Sequence, residues 1–212
     1  RHGTDLLLPP DLTLPFICRN VYVIDANGTL SGFDTETLQF FDIGNINCPT
    51  GGSGATPYSM AIARDESAYV LYSDGNVFRV NTQTAACSKT VFTANQSGFD
   101  TFGMGFSADT PGGSDETLFI ASSSLLGSVA FPSMKVTPLA SVSGNPELTG
   151  TSDAELWGFF PGATRSQVGL IDKATGDVSN VIPLPSLTGS PQSWTFAFWG
   201  RRFWIFLQRQ ND

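Results

Sequence analysis

Short apolar stretches, each closed by a turn rich in Gly, Asn, Asp or Thr, recur along the chain. Tyr22-Val23-Ile24 leads through Asp25-Ala26-Asn27-Gly28 to Thr29-Leu30, and Phe33-Asp34-Thr35-Glu36-Thr37 follows. The arrangement returns 47 positions later as Tyr69-Val70-Leu71-Tyr72, Ser73-Asp74-Gly75, Asn76-Val77 and then Val80-Asn81-Thr82-Gln83-Thr84. Asn-Gly and Asp-Gly supply the positive φ angles of a tight hairpin, so each copy is predicted as strand, turn, strand and second turn. Asp172-Lys173-Ala174-Thr175-Gly176 repeats the second turn 138 residues after Asp34, three steps of 46. The unit between is more degenerate, with strands at Thr117–Ala121 and Ser128–Phe131. A further strand precedes the hairpins and alternates small with large residues, as in Ser59–Ala63, Phe102–Phe106 and Thr195–Trp199.

Three or four strands in a period of roughly 45 to 50 residues match the blade of a β-propeller. Small residues suit the strand nearest a propeller axis, where backbones approach closely. The expected fold is all-β: a propeller of about five to six blades, incomplete at its C-terminal end. A β-sandwich is the alternative, since its turns also recur every 8 to 12 or so residues. A sandwich gives no reason for one hairpin to return at a fixed step. An extended tail over residues 1–15 is expected to precede one domain over 16–212, with units near 16–50, 57–95, 100–143 and 147–186 and a partial unit at 192–212. Two outer strands of the last unit are missing, so either the chain is a fragment or its two ends join in one composite blade.

Composition agrees with the all-β reading. The chain has 22 Gly, 13 Pro and 17 Phe, and three Lys are too few for the polar faces of long amphipathic helices. Charged residues make up 14%, against roughly 25% in an average soluble domain. A net charge of −8 with scattered basic residues argues against nucleic acid as a partner. No apolar run is long enough to span a membrane as a helix. An N-terminal Arg1 fits removal of an upstream segment, so a secreted, cell-surface or periplasmic location is expected.

The three cysteines include no Cys-x-x-Cys pair and His2 is the sole histidine, which leaves no pattern for a Cys/His zinc site. Cys48 and Cys87 close consecutive repeats, so they are expected to form a disulfide, leaving Cys18 unpaired. Having no histidine outside the tail removes Ser-His-Asp and Cys-His mechanisms. The aspartates, among them Asp25, Asp34, Asp65, Asp74 and Asp172, sit in turns, where Asp accepts backbone N–H bonds. Asp109–Glu116 lacks EF-hand spacing and reads as a polar surface loop, and Gly51-Gly52-Ser53-Gly54 lacks the Lys-Ser/Thr of a phosphate loop. Asn27 and Asn95 stand in Asn-x-Ser/Thr sequons, Asn27 within a hairpin turn. Aromatic residues gather at Phe99, Phe102, Trp157, Phe159, Phe160, Trp194, Phe198, Trp199 and Trp204. Most are expected to fill wedges between sheets, while Trp157, Trp194 and Trp199 are the candidates for stacking on a ligand.

Tyr69–Phe78, Ala86-Cys87, Gly103-Met104-Gly105-Phe106 and Trp194–Gly200 resemble the quinoprotein-like and NHL-like repeat propellers, and more narrowly uncharacterised secreted bacterial propellers. The resemblance implies a fold and almost no function. Neither a quinoprotein tryptophan-docking signature nor the metal-binding acids of gluconolactonase-like propellers is recognisable, so no cofactor and no metal are expected. The expected role is a non-catalytic extracellular scaffold that binds a glycan or a protein. A hydrolase acting on carbohydrate or lactone at the propeller mouth, and a structural surface or filament subunit, are the alternatives.

Overall fold

The computed structural model describes residues 20–51, 54–162, 165–186 and 191–209. Among these, every regular element but one short 3₁₀ turn is a β-strand, and each sheet is an antiparallel meander. The first sheet joins β1 (Asn20–Ile24), β2 (Thr29–Asp34) and β3 (Gln39–Asn45). The second contains β4 (Pro57–Ile62), β5 (Ser67–Tyr72), β6 (Val77–Asn81) and β7 (Cys87–Lys89). The third contains β8 (Gly103–Ala108), β9 (Glu116–Ala121), β10 (Leu125–Ala130) and β11 (Lys135–Ser141). The fourth contains β12 (Glu147–Gly150), β13 (Leu156–Phe160), β14 (Gln167–Ile171) and β15 (Val178–Pro183). A last hairpin pairs β16 (Pro191–Trp199) with β17 (Arg202–Arg209).

The fold is a β-propeller with a four-blade arrangement, which corrects the expected five to six blades. The correction has a physical reason in the C-terminal hairpin. It supplies two strands, against three or four in each of the other sheets, and lies as a wedge between the fourth blade and the first. Trp194, Phe196, Phe203, Ile205 and Leu207 pack on Phe159 and Val168 of the fourth blade. Trp204 and Phe206 point the other way, onto Phe33 of the first blade at 5.4 and 5.0 Å between ring centres. The end sheets thus meet face to face: among the described residues they remain two sheets and share no strand pairing.

The second strand of each four-stranded blade is buried on both faces, which explains its continuous apolar run. Val70 faces the first blade with Tyr22 and Leu30, while Leu71 faces the third with Met104 and Ile120. Phe119 then packs on Leu148 and Leu156 of the fourth blade. The repeated second turn is one structure in three blades. Asp34, Asn81 and Asp172 accept the backbone N–H groups two and three residues on. Their carbonyls accept the N–H of Leu38, Ala85 and Gly176, and all three of those residues adopt positive φ. Only the last of them is the residue that this conformation favours.

Cys48 and Cys87 form the expected disulfide, with Cα atoms 5.2 Å apart. It joins the segment leaving the first blade to β7, the outermost strand of the second. Cys18 lies outside the described residues. With 39 residues of sequence separation the chain-entropy model assigns the bond about 4 kcal/mol. The Cys48→Ser/Cys87→Ser variant is therefore expected to lose about 3–4 kcal/mol in urea unfolding, with a steeper transition because the unbridged unfolded chain exposes more surface.

Candidate functional site

β4, β8, β12 and β16 are the innermost strands and neighbour one another in that order around the axis. Between β8 and β12 the backbones touch. A Cβ on Gly103 would overlap the Pro146 carbonyl oxygen, and one on Gly150 would overlap that of Phe106. The order of these contacts, Gly103 beside Pro146 and Glu147 and Phe106 beside Gly150, shows the two strands running parallel. Thr149 Oγ1 accepts the Phe198 N–H at 3.0 Å, which sets the level of β16. Among the described residues the first blade meets this ring chiefly through β1, which touches β4 and β16 sparsely. The strand of that blade nearest the axis is β1, equivalent by the repeat to β5 and not to β4.

A cavity of about 900 Å³ occupies the space between β1 and the four inner strands. Because the inner strands run side by side, its two ends have different chemistry. At the end where these strands finish lie Arg64, Glu66, Glu116, Arg201 and Trp199. At the end where they begin lie Tyr58, Ser59, Glu147, Ser193, Trp194 and Gln208.

The polar groups at each end are held in place. Arg64 donates its backbone N–H to Glu116 Oε1 at 2.6 Å and its Nη1 to the Gly113 carbonyl at 3.0 Å, and its Nε lies 3.9 Å from Glu116 Oε2. Burial nevertheless pushes the Glu116 carboxyl up, partly offset by the Arg64 backbone and charge. At the other end Ser59 Oγ donates to Glu147 Oε1 at 2.5 Å and accepts the Met104 N–H at 3.1 Å. This network ties three blades together through β4, β8 and β12. Glu147 is only 8% exposed, and desolvation raises its pKa to about 8, against the smaller opposing pull of Ser59 and the Met104 N–H. At neutral pH it is mainly a neutral acid.

The two raised carboxyls do not form a catalytic pair. They are anchored at Ser59, near the start of β4, and at Arg64, in the turn past its end; Ser59 to Ala63 alone spans about 13 Å at the rise of a strand. Paired glycosidase carboxylates stand roughly 5 to 9.5 Å apart. Among the described residues no group of three or more His, Cys, Asp or Glu side chains is placed to hold a metal ion. The turn aspartates Asp25, Asp34, Asp65, Asp74 and Asp172 accept backbone N–H bonds, as expected from their positions.

The three candidate tryptophans are divided by the structure. Trp194 and Trp199 line the cavity toward opposite ends, while Trp157 lies away from it on β13. Trp157 donates its Nε1–H to Glu155 Oε2 at 2.9 Å and packs edge-on against Phe203. Trp199 is 37% exposed. Phe99, Phe102, Phe159 and Phe160 are buried between sheets. Sequence reasoning missed Ser59, Arg64, Glu116 and Glu147 as site residues. Glu147 heads a four-residue strand in which small and large residues barely alternate, so its one signal was an acid where other inner strands carry Ser or Gly.

No protein-family model and no curated protein sequence matches the chain. Solved structures do. A Bacteroides thetaiotaomicron protein of unknown function aligns with a TM-score of 0.54 and 16% identity, over 88% of this chain and 53% of that one. An auxiliary nutrient binding protein from the same organism aligns with a TM-score of 0.48 and 8% identity, over 90% and 50%. A gluconolactonase from Xanthomonas campestris aligns with a TM-score of 0.47 and 15% identity, over 88% and 68%. The chain spans about half the length of the first two. The first of these likenesses shows the fold: a β-propeller resembling an uncharacterised bacterial propeller protein.

The raised Glu147 pKa fixes the sign of a pH effect. Between the unfolded value of 4.5 and the folded value of about 8 the native state binds the extra proton. Stability from this group is therefore complete below the lower value and lost as pH rises through the window. Glu147→Gln is expected to melt close to wild type near pH 5 and to be stabler by about 2–4 kcal/mol near pH 8.5, read from thermal melts at both values.

Proposed function

We propose that this propeller is a non-catalytic extracellular binding module that seats a glycan in its axial cavity. The observation that carries the reading is the cavity itself. At about 900 Å³ it lies at the upper end of the roughly 300–1,000 Å³ of small-molecule sites. It is walled by parallel inner strands, and Trp194 and Trp199 stand in its lining. Flat aromatic faces beside Ser, Thr and Gln side chains suit a ligand with both C–H faces and hydroxyl edges. The disulfide supports an oxidising, extracellular setting. Among the described residues no helix is long and apolar enough to cross a membrane.

Trp199 is the better probe of the seat because its ring serves less in packing than that of Trp194, which belongs to the apolar cluster with Phe159. Screening neutral and amino oligosaccharides by calorimetry is expected to find binders, and Trp199→Ala is expected to weaken them about tenfold, about 1.4 kcal/mol. Unchanged affinity in a folded Trp199→Ala protein, or no oligosaccharide binding at all, would overturn the reading.

A further inference from the structure

Glu147 is a costly residue in the place it occupies. Its carboxyl is buried in the cavity wall, and its partners are the Ser59 hydroxyl and the Met104 N–H. Among the described residues no Arg or Lys pairs with it, whereas at the other end Arg64 is joined to Glu116 and Arg201 lines the cavity with Glu66. A buried carboxylate without a counter-ion is unfavourable by several kcal/mol or so, and the protein avoids that cost by holding the group protonated. Ser59 and Met104 could be satisfied equally well by an amide, which carries no such cost. What an acid offers beyond an amide is the capacity to become an anion when a cation arrives from the cavity.

The surroundings favour that arrival. Trp194 and Tyr58 line the same end, and aromatic faces attract ammonium groups. The lining contains four carboxyls, Asp25, Glu66, Glu116 and Glu147, against Arg64 and Arg201. The chain as a whole carries −8, so its field draws cations toward it. We infer that the ligand of the axial cavity carries an ammonium group, and that Glu147 is the residue that receives it. On binding, the Glu147 proton leaves to solvent and the carboxylate, still accepting from Ser59 Oγ, pairs with the ligand ammonium. This inference rests on the cavity being the ligand seat, and it narrows the glycan to an amino sugar.

The test compares β-1,4-linked glucosamine tetrasaccharide with its fully N-acetylated counterpart by calorimetry near neutral pH, on wild type and Glu147→Gln. Gln keeps the acceptor for Ser59, and far-UV circular dichroism checks the fold. The amine is expected to bind wild type at least about tenfold tighter than the acetylated sugar, and Glu147→Gln to erase that ratio while leaving the acetylated sugar within about twofold. Equal binding of both sugars by wild type, or a preference that survives in Glu147→Gln, would overturn the inference. The wild-type comparison decides by itself if the variant does not fold. Phenethylamine separates the two readings. If neither sugar binds but phenethylamine does, and Glu147→Gln loses it, the glycan falls and the ammonium site stands. If phenethylamine also fails to bind, both fall.

Discussion

The close parallel approach of β8 to β12 is the constraint from which the site follows. Gly103, Gly105 and Gly150 leave no room for a Cβ there, so the inner strands stand backbone against backbone. That contact sets the level of each strand along the axis, and the levels bring Ser59, Met104 and Glu147 of three different blades into one hydrogen-bonded group. A slip of one residue would turn Glu147 to the face where Leu148 packs on Phe119 and Leu156. The same parallel alignment puts Arg64, Glu116 and Arg201 at one end of the cavity and Ser59, Glu147 and Trp194 at the other. The chemistry of the cavity is thus a consequence of register, not of any local motif.

Ring closure depends on a different solution. The C-terminal hairpin has apolar side chains on both faces because each face is covered by a blade. It contributes β16 to the axis and seals the first blade to the fourth through ring contacts at Phe33 and Phe159. The disulfide secures the first blade to the second from the outside. The first blade is therefore held by covalent and aromatic contacts more than by the close strand packing used elsewhere, and the cavity lies where that packing is loosest.

Much of the fold was legible because the repeat is written in turn chemistry. Asp25–Gly28 and Ser73–Asn76 require hairpins wherever they occur, and the turn after Asp34, Asn81 and Asp172 folds identically with Leu38, Ala85 or Gly176 at its strained position. The cysteine pair was legible because Cys48 follows the outer part of the first repeat and Cys87 ends the second, which brings both to the outside of neighbouring blades. The blade number was not, because Trp194–Trp199 looks the same as the start of a blade and as a wedge between two. Side-chain parity along that strand also hid the roles of its tryptophans: Trp194 shares a face with Phe196, while Trp199 shares the opposite one with Ala197. Glu147 was illegible for a deeper reason. Its burial is created by Ser59 and Met104, 88 and 43 positions away, and no window of sequence contains all three.

The neutral, buried acid in the cavity wall is what distinguishes this site from a merely polar channel. Carbon-13 NMR of the glutamate side-chain carboxyls, titrated across pH with Glu147→Gln to assign the resonance, observes it directly. One carboxyl is predicted to titrate near pH 8, well apart from the exposed glutamates. If the Glu147 resonance moves instead with the others, in the ordinary range around 4 to 5, the acid is solvated and the account of the site is contradicted.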